Sequence, residues 1–128
     1  MKWLRLDAVL AIHQRQAEQH RTSPGLRSLD LLESALARAR NKSAYGRADV
    51  FVCAAAYGFA IARNHPFVDG NKRMALLAMY VFLWINGYML DVSETDAYTT
   101  IMALAAGNLT ETKLAAWVKA NAKRIRKR

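Results

Sequence analysis

The segment HPFVDGNKR, from His65 to Arg73, places several kinds of polar side chain between two of the most apolar parts of the chain. It holds a histidine, an aspartate, an asparagine, a lysine and an arginine, and folding alone does not require such a concentration. Pro66 and Gly70 interrupt any continuous helix, so a helical HExxH zinc site is excluded. We therefore interpret the segment as a functional loop. We assign His65 a functional role because its neighbours form a coherent set.

Lys72 and Arg73 are informative because they fall in the first turn of a helix predicted to start at about Asn71. The macrodipole is positive there and the amide N–H groups lack partners, so a cation is unfavourable by about 0.3–1 kcal/mol. Arg63 adds a positive charge on the other side of the loop. Within the loop, only Asp69 opposes these three cations. Free amides and basic side chains together form a phosphate site. A polyphosphate carrying a divalent metal would give Asp69 a role as an oxygen ligand.

Structural roles remain open for several residues of this segment. A cation such as Arg63 is favourable near a helix C-terminus in any case. A role as helix N-cap would by itself explain Asn71. Asp69 can simply pair with Arg73. Phe67 is expected to fill part of the core and to hold the loop in place. The other two histidines of the chain stand alone, and we expect structural roles for them.

The chain of 128 residues is expected to form one domain, residues 1–128, because its length suits a single core. Its 19 Lys and Arg residues against 10 Asp and Glu give a net charge of +9. Such an excess indicates an acidic partner: nucleic acid, a nucleotide, an anionic membrane or an acidic polypeptide. Part of the charge lies in the last residues, AKRIRKR, which we interpret as a solvated or frayed basic tail from about residue 122.

Several features of the sequence bear on location and on side-chain reactivity. The single cysteine, Cys53, lies in an apolar run and is interpreted as a core residue. Arg5 and Asp7 interrupt the N-terminal apolar stretch, which excludes a signal-peptide core there. The longest uncharged apolar run, residues 74–85, is too short to span a bilayer. We expect a cytoplasmic protein that does not enter membranes.

Apolar periodicity and capping signals predict six helices, over about residues 3–20, 29–40, 48–63, 71–86, 93–106 and 110–125. Ser28 and Ser93 are predicted to cap the second and fifth helices, and Thr110 begins the sixth. The third and fourth helices are apolar nearly all round, as helices at the centre of a bundle are. The functional loop joins these two, and residues 88–92 form an extended piece after the fourth. We therefore predict an all-α fold, a compact bundle of about six helices with the active-site loop between two central buried helices. The three tryptophans, in separate helices, are expected to pack in the core.

The loop sequence HPFVDGNKR resembles the Fic signature HPFx[D/E]GNGRxxR, in the variant found in Doc-type (death-on-curing) toxins of the Fic/Doc family, where lysine replaces the second glycine. The motif is long and position-specific. The similarity is closest over about residues 49–90, and weaker matches extend back through LLESALARAR and VLAIHQ. The resemblance implies the Fic fold, which is consistent with the helices predicted from periodicity. Before the LLESALAR helix, Arg27 matches an Arg-Asp pair common in Doc-like proteins, but Ser28 stands where aspartate is common.

The resemblance implies roles for individual residues of the loop. His65 would be the general base that takes a proton from a target hydroxyl, as suits a side chain that titrates near neutrality. Asp69 would hold Mg²⁺ and help to orient the base. Asn71, Arg73 and the amides around Gly70 would form the anion-binding turn, and we include Arg63 and Lys72 among the phosphate-binding residues. Lys72 is also assigned, with His65 and Asp69, to the catalytic residues.

Two departures from the signature bear on the reaction. Lys72 occupies the place of a glycine against which phosphate lies close, so its side chain obstructs that placement and supplies a charge. In Doc-like proteins this change goes with a reversed nucleotide, so that the γ-phosphoryl group of ATP is transferred and not AMP. Leu76 replaces the final arginine of the motif. Both departures favour phosphotransfer.

The resemblance therefore implies a toxin enzyme that uses ATP and Mg²⁺ to phosphorylate a Ser or Thr of a protein, with elongation factor Tu as the implied target and arrested translation as the result. It also implies a cognate, Phd-like antitoxin whose inhibitory segment we expect to be acidic or amphipathic. Two alternatives remain: AMP transfer to a protein hydroxyl, and a non-catalytic, basic nucleic-acid-binding helical module. We expect nucleic acid to bind, if at all, through the basic tail.

Overall fold

Helices account for most of the chain in the computed structural model, which describes residues 1–46 and 48–126. Within these residues the helices are α1 (Leu6–His20), α2 (Leu29–Tyr45), α3 (Val50–Asn64), α4 (Asn71–Ile85), α5 (Glu94–Ala105) and α6 (Glu111–Asn121). The predicted all-α bundle of about six helices is confirmed. The loop from residue 65 to residue 70 joins α3 to α4, as predicted.

The starts of four helices are set by polar caps. The side chains of Ser28, Asp49, Ser93 and Thr110 each accept a hydrogen bond from the backbone N–H three residues further on, at 2.9–3.2 Å. Such bonds satisfy backbone amide groups that the first turn of a helix leaves without partners, which is why these residue types are found at helix N-termini. The predicted caps at Ser28, Ser93 and Thr110 are therefore confirmed.

The boundaries of α1 and α2 differ from the prediction. α1 begins at Leu6 and not at Trp3, because the chain before it is extended and Arg5 is its N-cap. α2 continues to Tyr45 through residues predicted as a connection, NKSAY. Asn, Lys and Ser are tolerated on the exposed side of a helix, so their polarity does not by itself mark a loop.

The centre of the molecule is α3, which packs against α2, α4 and α6. Its small residues, among them a run of alanines at 54–56, are fully buried. α4 approaches α3 closely at Gly58, where a Cβ atom would lie 2.6 Å from Sδ of Met79. Larger side chains such as Tyr57 and Phe82 fill the remaining space between the helices. The end of α3 and the start of α4 are thereby held rigidly, which positions the loop between them.

A short antiparallel pair of strands joins the C-terminal part of the chain to the end of α4. Strand β1 (Tyr88–Leu90) pairs with strand β2 (Ala122–Arg124), with Tyr88 opposite Arg124. The extended piece predicted after the fourth helix is confirmed, but the sixth helix ends at Asn121 and not near residue 125. The frayed tail predicted from about residue 122 is wrong for residues 122–124, which are hydrogen-bonded in β2; Lys127 and Arg128 lie outside the described residues.

The tryptophans do not all pack in the core as predicted. Trp3 is partly buried and stacks on Phe82, and Trp117 is partly buried and donates to a carboxylate oxygen of Asp96. Trp84, in contrast, is 61% exposed near the end of α4. Across residues 1–46 and 48–126, none of the helices has the length and apolar character that crossing a bilayer requires.

Candidate active site

The loop begins at His65, which ends α3 in the left-handed conformation with φ 50° and ψ 57°. Histidine is one of the few residues other than glycine that adopts this conformation with some frequency. The guanidinium of Arg27 donates to the backbone carbonyl oxygens of Asn64 (2.6 Å) and His65 (2.7 Å), which satisfies acceptors that the helix leaves free. The His65 side chain is exposed. The backbone is therefore held while the imidazole remains accessible to a substrate.

Phe67 and Asn71 lock the middle of the loop. The Asn71 amide accepts a hydrogen bond from the N–H of Phe67 and donates one to its carbonyl oxygen, both at 2.9 Å. The ring of Phe67 is 1% exposed, so the predicted core-filling role is confirmed. Asn71 is not the N-cap of α4, because Gly70 takes that position. The side chain of Asn71 thus shapes the turn that presents the start of α4.

His13 of α1 supports the loop from beneath. Its ring stacks on that of Phe67, with centroids 3.9 Å apart and planes 11° apart. Its Nε2 lies 2.9 Å from the backbone carbonyl oxygen of Asp69. The side chain is 4% exposed, which agrees with the structural role predicted for this histidine. Nothing in the sequence near His13 links it to the loop, so this contact was not predicted.

The segment before α2 also pairs with the loop, a contact that no pattern in the sequence predicts. Leu26 forms an isolated antiparallel bridge with Phe67. The N–H of Val68 donates to the carbonyl oxygen of Gly25, and two N–H groups, of residues 27 and 28, donate to that of Pro66. The loop is therefore bounded on one side by extended backbone and on the other by the imidazole of His13.

The start of α4 has the properties of an anion site. Helical hydrogen bonding begins with the N–H of Met74 bonded to the carbonyl oxygen of Gly70. Among the described residues no side chain caps this end, and its first turn contains no acidic residue. Lys72 is exposed and Arg73 partly buried. Backbone amides that point out of a helix N-terminus, next to two cations, are suited to phosphate oxygens.

Gly70 suits this turn because of its backbone conformation. Its φ of 79° is one that residues other than glycine rarely adopt. A Cβ atom there would lie 3.6 Å from Nη1 of Arg73 and 3.9 Å from Nε2 of His13, which are ordinary van der Waals contacts. The conformation of the turn, and not lack of space, therefore favours glycine, and a cation from α4 and an imidazole from α1 lie beside it.

Asp69 is exposed, and its Oδ1 accepts a hydrogen bond from the N–H of Gly70 at 2.8 Å. The alternative in which Asp69 pairs with Arg73 is wrong, since no ion pair of Asp69 is formed within residues 1–46 and 48–126. In the same ranges no three His, Cys, Asp or Glu side chains are grouped to hold a metal. Mg²⁺ commonly binds one or two carboxylates together with substrate phosphates. A single exposed carboxylate next to an anion site fits that mode.

Arg63 turns away from the residues of the loop. Its guanidinium lies over the ring of Phe59, 5.4 Å from the centroid. Its Nη1 lies 3.9 Å from the position that a Cβ on Gly107 would take, in the turn between α5 and α6. These contacts place its charge beside that turn. Its assignment as a phosphate-binding residue stays a prediction.

A groove of about 420 Å³ extends from Lys72 and Arg73 along α4 and α5. Such a volume is typical of small-molecule sites. Besides the two cations, one acidic residue, Glu94, lines the groove. Apolar side chains dominate its walls: Leu76, Tyr80, Val92, Ala97, Tyr98, Ile101 and Met102. Burial, and then the charge of Asp91, raise the pKa of Tyr80, so its hydroxyl stays protonated and can donate a hydrogen bond. The groove was not predicted, although two exposed apolar residues four positions apart, Tyr98 and Met102, are a signal for it.

Cys53 does not contribute to this site. It is fully buried, and its Sγ lies 3.7 Å from the carbonyl oxygen of Ala39. Burial raises the pKa of its thiol, which disfavours the reactive thiolate. The predicted role as a core residue is confirmed.

Comparison with known proteins gives a family match over the segment that carries this site. Residues 3–83 match the model of the Fic/DOC family. The chain is 30% identical over 116 residues to "Protein kinase doc" of Escherichia phage P1, which covers 90% of this chain and 91% of that protein. It is 44% identical over 69 residues to "Toxin Doc" of Mycolicibacterium smegmatis, which covers 51% of this chain and 52% of that protein.

Proposed function

The chain belongs to the Fic/DOC family, and from that we propose that it is a toxin enzyme that transfers the γ-phosphoryl group of ATP to a Ser or Thr hydroxyl of a protein. One arrangement carries the proposal: the exposed imidazole of His65 and the uncapped start of α4 with its two cations lie at opposite ends of one rigid loop. A proton acceptor and a phosphate site are thus held at the two ends of one short loop.

The reaction assigns each group a simple task. A ring nitrogen of His65 accepts the proton of the target hydroxyl, whose oxygen forms a bond to the γ-phosphorus while the bond from that phosphorus to the bridging oxygen breaks and ADP leaves. Backbone amides at the start of α4, with Lys72 and Arg73, neutralise the phosphate charge. Asp69 would hold Mg²⁺, which when bound would supply further positive charge near the leaving group. Alignment and charge neutralisation account for most of phosphoryl-transfer catalysis.

The apolar groove supports transfer of the γ-phosphoryl group over transfer of AMP. Past Lys72 and Arg73 its walls are mainly aliphatic and aromatic, Glu94 adds a negative charge, and Leu76 stands where the family signature has an arginine. An apolar groove suits a nucleoside better than a terminal phosphate. We therefore orient ATP with its nucleoside in the groove and its γ-phosphate next to His65.

The partners follow from the same proposal. A protein of net charge +9 whose relatives include "Toxin Doc" is proposed to be inhibited by a Phd-like antitoxin with an acidic or amphipathic segment. Its protein substrate is proposed to be a translation protein, elongation factor Tu by family resemblance, encountered in the cytoplasm. Expression alone is expected to arrest growth, and co-expression of an antitoxin encoded next to it is expected to restore growth.

Mass spectrometry of cell proteins tests the reaction directly. The purified protein is incubated with a lysate, ATP and Mg²⁺, and modified Ser and Thr residues are sought in parallel with the His65→Asn variant. A mass gain of one phosphate that depends on His65 supports the proposal and identifies the substrate. A gain of AMP on the same residues establishes the AMP-transfer alternative, and no modification in either form excludes both enzymatic functions for the proteins sampled.

A further inference from the structure

The end of α4 opposite the active-site loop carries an exposed surface that the proposed reaction does not use. We call it the Trp84 surface and define it by the residues that line two adjoining depressions: Met1, Lys2, Trp84, Ile85, Asn86, Gly87, Arg124 and Ile125. The two depressions share Asn86, Gly87 and Ile125, so they form one continuous surface. A helix of 15 residues is about 22 Å long, which separates this surface from the loop at the start of α4.

The Trp84 surface is held in a fixed shape by hydrogen bonds between distant parts of the chain. Asn86 accepts from the N–H of Lys2 at 2.8 Å and donates to its carbonyl oxygen at 2.9 Å. The N–H of Ile125 donates to the carbonyl oxygen of Gly87 at 2.9 Å, which continues the pairing of β1 with β2. The start of the chain and the segment after α6 are thereby both attached to the turn that ends α4.

The charge on this surface is of one sign. Its two cations, Lys2 and Arg124, are exposed, as is Arg126 directly after Ile125, and none of the three forms an ion pair within residues 1–46 and 48–126. None of the residues that define the surface is acidic, and Asp91, directly after β1, is already paired with Lys123. The negative end of the α4 macrodipole accounts for one nearby cation but does not require three.

Trp84 is the second unusual feature of the surface. Its side chain is 61% exposed, although tryptophan is costly to leave in water. The depression that it lines holds Lys2 together with the apolar residues Met1, Ile85 and Ile125. Arg124 lies over the ring of Tyr88, 5.6 Å from its centroid. Aromatic faces next to unpaired cations are the combination that single-stranded nucleic acids require, because each base can stack on a ring while its phosphate pairs with a cation.

We propose that the Trp84 surface binds single-stranded nucleic acid. A base stacks on the indole of Trp84, and neighbouring phosphates contact Lys2, Arg124 and Arg126. The open face of an exposed indole suits a flat base. An acidic peptide would pair with the same cations, and the competition experiment below distinguishes the two. This binding is independent of phosphoryl transfer, since none of the contributing side chains lies at the loop.

Fluorescence anisotropy with the full chain and fluorescein-labelled 12-mers of U and of dT tests the proposal. We expect binding that weakens as salt rises, with a slope of log K against log salt near −2, as about three phosphate contacts imply for a single strand. Trp84→Ala is expected to weaken binding at least tenfold, and Arg124→Ala to weaken it and to reduce the slope. The 12-mers distinguish RNA from DNA as the preferred strand.

Matched variants and competitors make the outcome decisive. Tyr45→Ala removes an aromatic ring that is 91% exposed at the end of α2, and Arg15→Ala removes an exposed cation from α1; neither is expected to change the affinity. ATP is expected not to displace the 12-mer. Displacement by ATP, equal loss in the control variants, equal affinity for a duplex, or tighter binding of a poly-Glu 12-mer at Trp84 would each overturn the proposal, and the last would identify an acidic polypeptide as the partner.

Discussion

Nε2 of His13 lies 2.9 Å from the backbone carbonyl oxygen of Asp69, although the two residues are 56 positions apart in the chain. The same imidazole stacks on Phe67, so one side chain of α1 contacts two residues of the active-site loop. The carboxylate of Asp69 is meanwhile exposed. α1 therefore positions the backbone of a residue whose side chain is left available for metal.

Replacing His13 with alanine is expected to reduce both stability and activity. The change removes a buried ring stack and a hydrogen bond, which together stabilise the fold by about 1–3 kcal/mol. Loosening the loop is expected to lower the rate of γ-phosphoryl transfer at least tenfold, measured in conditions where the variant is folded. His13→Phe keeps the stack without the hydrogen bond and separates the two contributions. His20→Ala, at the exposed end of α1, is the control and is expected to change neither urea unfolding nor rate.

Removing the imidazole of His65 is expected to abolish most of the transfer while the fold is kept. Loss of a general base typically lowers a rate by about 10²–10⁴-fold. His65→Asn is a better variant than His65→Ala because asparagine tolerates the left-handed backbone conformation found there. Circular dichroism and urea unfolding verify the fold, and transfer of label from γ-labelled ATP to the protein substrate measures the rate. A folded His65→Asn protein with unchanged rate would remove this residue as the base.

The variant Asp69→Asn tests the proposed metal role with little change of shape. An amide oxygen still accepts the hydrogen bond from the N–H of Gly70, so the turn is expected to persist. The lost negative charge is expected to raise the Mg²⁺ concentration needed for half-maximal transfer by at least tenfold, most visibly at low Mg²⁺. The measurement is a titration of rate with Mg²⁺ at saturating ATP. An identical titration in the variant and the parent would contradict the role.

Lys72 is expected to decide whether the γ-phosphoryl group or the AMP group of ATP is transferred. The parent protein is expected to transfer label from γ-labelled ATP and none from α-labelled ATP. Lys72→Met keeps bulk and removes charge, and its rate is expected to fall by about 10²–10³-fold, the usual effect of removing a group that stabilises transition-state charge. Lys72→Gly restores the space of the family signature and is expected to abolish γ-transfer, with at most weak α-transfer because Leu76 carries no charge. Transfer of α-label by the parent protein would establish AMP transfer instead.

The stability of the fold is expected to fall in acid through Glu111, which joins α6 to α2. Its carboxylate accepts two hydrogen bonds from Arg38, at 2.7 and 3.0 Å, and lies 3.2 Å from Nζ of Lys42. Burial acts to raise the pKa of Glu111, but the hydrogen bonds and charges of these two residues outweigh it and lower the pKa below its ordinary value.

A pKa lowered by folding means that this contribution is complete above the unfolded value, roughly 4.3, and is lost as pH falls through the folded value. Glu111→Gln is expected to cost about 1 kcal/mol at neutral pH, since the partners are partly exposed, and to flatten the decline in acid. Urea unfolding between pH 7 and pH 3 measures both effects, with Glu33→Gln, an exposed acid on α2, as the control. Parallel pH curves for parent and Glu111→Gln would exclude this ion pair as the source.

Local signals in the sequence were sufficient to predict most of the helices and the place of the loop. Ser28, Ser93 and Thr110 act through bonds to residues three positions away, so their effect is visible in a short window. The HPFVDGNKR motif is likewise continuous. The helix starts and the loop motif could therefore be predicted because both depend on residues that are close together in the sequence.

The missed features depend on contacts between distant parts of the chain. The stack of His13 on Phe67 and the bridge of Leu26 to Phe67 join segments about 40–55 residues apart, and no pattern within either segment encodes them. Residues 122–124 form a strand because β1 offers a partner, which overrides a weak helical pattern. The exposure of Trp84 follows from which face of α4 the neighbouring helices leave uncovered, and periodicity does not decide this in a helix that is apolar nearly all round.

The packing of α6 against α3 determines how late in synthesis the core can be completed. α3 is made in the first half of the chain, but the face that α6 covers stays exposed to water until residues 111–121 have emerged. An unfinished chain can therefore contain the whole loop from residue 65 to residue 70 and still lack the core that holds the loop in shape. For the proposed toxin, interrupted synthesis would leave an incompletely folded fragment, open to proteases, and the damaging activity would appear only once almost the entire chain exists.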